Sequence, residues 1–284
     1  MWQKTIQLFE FIKFSHSIFA LPFALGAMVV ASQGWPDLKT LLLIVTAMVT
    51  ARSAAMAFNR IADADIDAKN PRTQNRHIPK GILSKQFAWG LTIICCALFV
   101  VTCYFINPLA FTLSPLVLTW LLVYSYTKRF TWLTHLWLGI SLGLSPLGAW
   151  VAVTGTWPWP VLTLGAAVTF WVAGFDIIYA TQDVDFDRQT GICSLVARFG
   201  IAKALWIARG LHLASVFFLS LFGFQHSLGT IYFATVLLIS LGLLWEHRLV
   251  NPTDLSKVNA AFFNVNGVIS FLFFLGILLE RTAR

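Results

Sequence analysis

Apolar residues run through this chain in stretches of about 18 to 22, broken by short polar segments. That is the length a helix needs to cross a hydrocarbon core of about 30 Å. The pattern predicts nine such helices, over 15–33, 39–58, 87–106, 108–126, 134–154, 160–180, 203–223, 228–246 and 260–279. The first run is not read as a cleaved leader: Pro22 sits inside it, no small-residue cleavage site follows, and eight more runs come after. Two connections are long and polar, 59–86 and 181–202. Others are turn-like, such as Thr127-Lys128-Arg129 and Asn251-Pro252-Thr253-Asp254. The expected architecture is all-α: a polytopic membrane protein with nine transmembrane helices in a single bundle around a central cavity. Residues 1–284 form one integral membrane domain.

Composition removes the soluble alternative. The chain is 58% apolar and 11% charged, with mean hydropathy +0.75. Nine spans put all of the 20 Lys and Arg on one side except Lys39, Arg281 and Arg284. The positive-inside rule makes that side, and the N-terminus with it, cytoplasmic. The net charge of +8 therefore marks topology. No basic helix with interleaved aromatics suggests nucleic acid, and no obligatory protein partner is evident. Tryptophans in Gly34-Trp35-Pro36 and Thr156-Trp157-Pro158-Trp159 read as interfacial anchors. Cys95, Cys96, Cys103 and Cys193 have no metal or disulfide spacing and read as packing. His16, His135, His212, His226 and His247 are scattered without ligand spacing and read as structural; His77 lies in a cationic loop, where a loop role outweighs phosphate contact.

Candidate chemistry lies in the acids. Seven of the 12 acidic residues fall in Asn59-Arg60-Ile61-Ala62-Asp63-Ala64-Asp65-Ile66-Asp67 and in the segment 176–187. A carboxylate at mid-span costs ~2.5 to 3.5 kcal/mol on insertion scales, so such clusters imply a task. Asn59, Asp63 and Asp67 are spaced i, i+4, i+8 and project from one helical face, with Asp65 opposite. Asp183 and Asp187 repeat the spacing, with Asp185 facing away. Asp176 and Tyr179 share the second face deeper in the membrane. Each column is a set of hard oxygen ligands suited to Mg²⁺. Arg72, Arg76, Lys80, Lys128, Arg129, Arg188 and Arg198 are the cations expected around the same mouth. Opposed columns would hold two Mg²⁺ ions bridging a diphosphate. Acids alone would suit a cation or proton-coupled transporter instead. Transporter sites, however, sit near the midplane on broken helices, and here the acids lie at span ends beside basic residues.

These residues resemble the UbiA superfamily of intramembrane aromatic prenyltransferases. Asn59, Asp63 and Asp67 match its first motif, and Asp183 and Asp187 its second. Asn75-Arg76-His77-Ile78-Pro79-Lys80-Gly81 is similar to the family's NRPxPxG stretch, and Tyr124-Ser125-Tyr126-Thr127-Lys128-Arg129 to its YPxxKR stretch. Arg60 stands where many members have Asp, and Gln182 where some have Lys.

The resemblance implies a nine-helix prenyltransferase of the cell inner membrane, its mouth on the cytoplasmic side. It implies that Asp63, Asp67, Asp183 and Asp187, with Asn59, hold two Mg²⁺ ions on a polyprenyl diphosphate. The prenyl group then passes to a small hydroxylated aromatic acid in respiratory quinone biosynthesis. The family's standard acceptor is 4-hydroxybenzoate. The stretch Phe11 to Ala24 is closer to the branch of menaquinone synthesis using 1,4-dihydroxy-6-naphthoate. Diphosphate contacts fall to Arg72, Arg76, Lys128 and Arg129, with Tyr179 beside the substrate. Arg52 lies seven residues before Asn59, about 10 Å deeper. An arginine there needs an anionic partner: the acceptor's carboxylate or Asp176. Asp176 is alternatively the acceptor of the phenol or ring proton.

Overall fold

A computed structural model describes residues 2–13 and 18–283. The helices are α1 (Trp2–Phe11), α2 (Leu21–Ala31), α3 (Leu38–Ala62), α4 (Ala64–Asp67), α5 (Lys85–Ile106), α6 (Pro108–Thr127) and α7 (Thr134–Thr154). They continue with α8 (Leu162–Ala180), α9 (Val184–Thr190), α10 (Leu195–Phe199), α11 (Ile201–Gln225), α12 (Thr230–Leu249) and α13 (Asn266–Thr282). No strand occurs among the described residues. Among the described residues, eight helical stretches are long and apolar enough to cross a membrane. They begin at Leu38, Lys85, Pro108, Thr134, Trp159, Ile201, Thr230 and Ala260.

The first expected span differs. Within its described part the α-helix is Leu21–Ala31, 11 residues, about 16 Å of rise; residues 15–17 of that expectation lie outside the described residues. Pro22 sits in the first turn, where its missing N–H costs nothing. At the entry to this helix, hydroxyls from distant helices donate to backbone carbonyls. Ser270 Oγ donates to Ile18 O at 2.8 Å and Ser145 Oγ to Ala20 O at 3.4 Å. Helix α1 adds an element that the apolar pattern did not predict.

Helix starts follow their caps. Asp37 accepts from Thr40 N at 3.0 Å and Ser84 from Phe87 N at 3.1 Å. Asn107 accepts from Ala110 N at 2.8 Å, with Pro108 as the first residue of α6.

The described residues fall into two compact units, one within 2–13 and 37–126, the other within 18–36 and 127–283. In the first, α3 packs along α5 around the fully buried Phe11, Ala57 and Ala88. Arg60, 5% exposed, donates its Nε to Phe11 O at 3.3 Å. That bond ties α3 to the end of α1. All four cysteines are free, and Cys103 packs with Phe99 and Leu118, as its apolar setting suggested.

In the second unit α7 packs along α8, and α8 along α11. Gly139 and Gly143 form the α7 seam. A Cβ on Gly139 would strike Thr169 O, and one on Gly143 would meet Thr169 Oγ1 and Gly165 O. Small residues four apart let two helix backbones touch. Residues 260–265 form a π-turn whose freed carbonyls find a donor: Asn266 Nδ2 bonds Ala261 O at 3.1 Å and Phe262 O at 3.2 Å. Asn266 also takes Trp171 Nε1 at 2.7 Å. Glu280 caps α12 from α13, accepting from Gly229 N at 2.8 Å and Tyr232 N at 3.2 Å.

Candidate active site

The first motif begins where α3 ends. Asp63 has φ −94° and ψ −1°, the sparsely populated bridge conformation in which active-site residues recur. The i→i+4 ladder nevertheless continues across it: Asp63 N bonds Asn59 O at 2.9 Å and Asp67 N bonds Asp63 O at 2.7 Å. Asn59, Asp63 and Asp67 therefore keep a common side through a break that the continuous-helix expectation did not contain. Asp63 and Asp67 are each 3% exposed. Asp65 faces out, its side chain 91% exposed, 3.2 Å from Lys85.

Within the column, Asn59 Nδ2 donates to Asp63 Oδ2 at 3.0 Å and to Ser125 Oγ at 3.5 Å. Arg76 Nη1 lies 2.8 Å from both Asp67 oxygens. Thr73 Oγ1 donates to Asp67 O at 3.2 Å, so the loop that carries Arg76 is anchored on the residue Arg76 binds. Gly81, at φ +71°, closes that loop. Arg72 and Lys80 are exposed. His77 packs edge-on against Phe11, ring centroids 5.9 Å apart, and burial pushes its pKa below the ordinary value. That is a packing role. Arg52, deeper on α3, has its Nε buried and without a hydrogen-bond partner among the described residues; Tyr124 is its electrostatic neighbour.

The second motif repeats the break. After α8 comes a single 3-10 turn over Thr181–Asp183, and Asp183 takes φ −105° and ψ 3° before α9. Asp187 is 8% exposed, Asp183 is half-buried and Asp185 is exposed, the same inside–outside alternation as in the first motif. The Ser194 hydroxyl hydrogen-bonds Asp187 while accepting from Ala197 N at 3.1 Å as the cap of α10. Lys128 O accepts from Cys193 N at 2.8 Å, fixing the basic pair Lys128-Arg129 to the loop behind Asp187. Tyr179 packs against Phe262 with the rings tilted, centroids 4.2 Å apart.

Arg188 and Arg198 also have local partners. Arg188 Nε is spent on Ala197 O at 3.2 Å, and the Arg198 guanidinium lies 5.1 Å from the Trp132 ring centroid. Both hold the local loop. Asp176 has a partner that spacing gave no hint of: His135 Nδ1, 2.6 Å from its Oδ2.

Together, fold and site define an all-helical membrane protein carrying two acid motifs, each hinged at a helix break beside a long apolar span. Over residues 20–275 the sequence matches the UbiA prenyltransferase family, and the chain belongs to that family. It is 30% identical over 253 residues to the 4-hydroxybenzoate octaprenyltransferase of Vibrio campbellii (strain ATCC BAA-1116), covering 89% of this chain and 88% of that one. The apo structure of a UbiA homolog from Aeropyrum pernix K1 superposes with TM-score 0.85 at 35% identity, over 93% of this chain and 98% of that one. A UbiA homolog from Archaeoglobus fulgidus bound to DMAPP and Mg²⁺ shares the fold, with TM-score 0.76 at 19% identity over 98% and 100% of the two chains.

Proposed function

We propose that this protein is a Mg²⁺-dependent aromatic polyprenyltransferase. It moves a polyprenyl group from its diphosphate to a hydroxylated aromatic acid of the 4-hydroxybenzoate type, in quinone biosynthesis. One observation carries the reading: Asp63 and Asp183 occupy matching helix breaks, each followed four residues later by a buried acid. The donor set is carboxylate and amide oxygen, which fits a hard cation. Asp63, Asp67 and Asn59 would hold one ion, and Asp183 and Asp187 a second. The metal, when bound, neutralises charge on the departing diphosphate.

The remaining steps belong to side chains. Arg76, already on Asp67, sets that carboxylate's orientation and offers its other nitrogens to phosphate oxygens. Arg72, Lys128 and Arg129 add positive charge, and Tyr179 lies four residues before Asp183, at the end of α8. The apolar spans keep water from the allylic cation. Arg52 takes the acceptor's carboxylate, because an orphaned guanidinium nitrogen in an apolar span is satisfied by that anion. The protein sits in the cell inner membrane with its mouth and N-terminus cytoplasmic. The similarity to a 4-hydroxybenzoate octaprenyltransferase supports the acceptor class.

The test is a product assay by mass spectrometry on purified protein with Mg²⁺, prenyl diphosphates of several lengths, 4-hydroxybenzoate and 1,4-dihydroxy-6-naphthoate. A C-prenylated hydroxybenzoate is expected. Prenylated naphthoate alone would move the acceptor, and ion flux in vesicles without diphosphate release would replace the enzyme with a transporter.

A further inference from the structure

We infer that His135 is a positioning residue that clamps Asp176 as the acceptor of the proton lost from the prenylated ring. The inference rests on the aromatic-transfer reading above. His135 stands in the first turn of α7 and Asp176 in the last turns of α8. The two are 41 residues apart in sequence and 2.6 Å apart in space, a short contact of the charge-assisted kind. With Nδ1–H donating to Asp176 Oδ2, the carboxylate is held in one rotamer and Oδ1 is left to act.

Exposure sorts the roles. The imidazole side chain is 5% exposed and the carboxylate side chain 18%, so Asp176 presents the open edge and His135 stands behind it. Nε2 of His135 is buried with no partner among the described residues. An unsatisfied buried nitrogen is costly, a burden that an apolar side chain at the same place would avoid. Asp176 lies seven residues before Asp183, in the last turns of α8, with the 3-10 turn Thr181–Asp183 leading from it to the second motif. His135 is also within electrostatic reach of Asp187. The dyad and the second motif therefore belong to one neighbourhood.

The allylic C–O bond breaks with its electron pair going to diphosphate. A ring carbon beside the phenol supplies two π electrons to the new C–C bond, leaving an arenium cation. The C–H bond at that carbon returns its pair to the ring, and the proton passes to Asp176 Oδ1. His135 contributes orientation and a fixed dipole, which is how a carboxylate–imidazole pair serves general base chemistry.

The test compares His135→Asn, which keeps an N–H donor in the place of Nδ1, with His135→Gln and His135→Ala, which do not. We expect His135→Asn to retain most of kcat. The other two should lose on the order of 10²-fold in kcat with KM for both substrates near wild type. Acceptor deuterated beside its hydroxyl should show a primary isotope effect in His135→Gln that wild type lacks. Equal kcat in the Asn and Gln variants, whether high or low, or no isotope effect in His135→Gln, would overturn the inference. Should His135→Ala fail to fold by thermal melt, the Asn–Gln pair still decides. Wild type making no prenylated aromatic product would instead overturn the functional reading.

Discussion

Asp63 and Asp65 are two residues apart and occupy opposite environments: the first is 3% exposed, the second sits in water beside Lys85. Asp63→Ala and Asp183→Ala should therefore reduce diphosphate release to background, while Asp65→Ala and Asp185→Ala retain most of it. Comparable damage at all four positions would remove the helical-face argument. Arg76→Ala should act twice. It strips a buried carboxylate of its cation, which lowers the melting temperature, and it weakens diphosphate binding. Arg76→Lys should recover only part, because a single ammonium cannot present several nitrogens in one plane. The columns were legible in the sequence because a 3.6-residue period turns spacing directly into a common face. Arg76 was legible as a cation of the site, but not as the partner of Asp67. His135 was not legible at all, because no spacing rule joins residues on different helices.

Hydropathy located the long spans because their composition alone sets them in lipid. The shortening of the first to Leu21–Ala31 escaped it, since apolar side chains say nothing about whether the backbone beneath them is helical. The breaks at Asp63 and Asp183 escaped too, having no proline or glycine to announce them. The seam of α7 on α8 gives a sharp element-level test. Gly143→Leu should force the helices apart and cost ~1–3 kcal/mol of stability, as overpacking does. Gly148→Leu, on the same helix but with open space around it, should leave the melting curve near wild type. Equal effects of the two would mean the seam is not a close backbone contact in solution.

For the molecule as a whole, ligand linkage offers a check that needs no turnover. Mg²⁺ with a non-reactive prenyl diphosphate analogue at about 100 times its Kd should stabilise the fold by ~2.7 kcal/mol, and neither alone should match the pair. Chelation should erase the gain. Crossing number is equally testable: if α2 completes a crossing, reporters fused to the two termini should report opposite sides of the membrane, and eight crossings would put them on the same side.

The carbonyl of Ile18 is met by a hydroxyl 252 residues further along, and that of Ala20 by one 125 residues further. Synthesis runs from the other end, so the entry to α2 stays incomplete until the last helix has been made and inserted. A chain stopped short of α13 should leave that stretch open to protease long after its middle helices have matured.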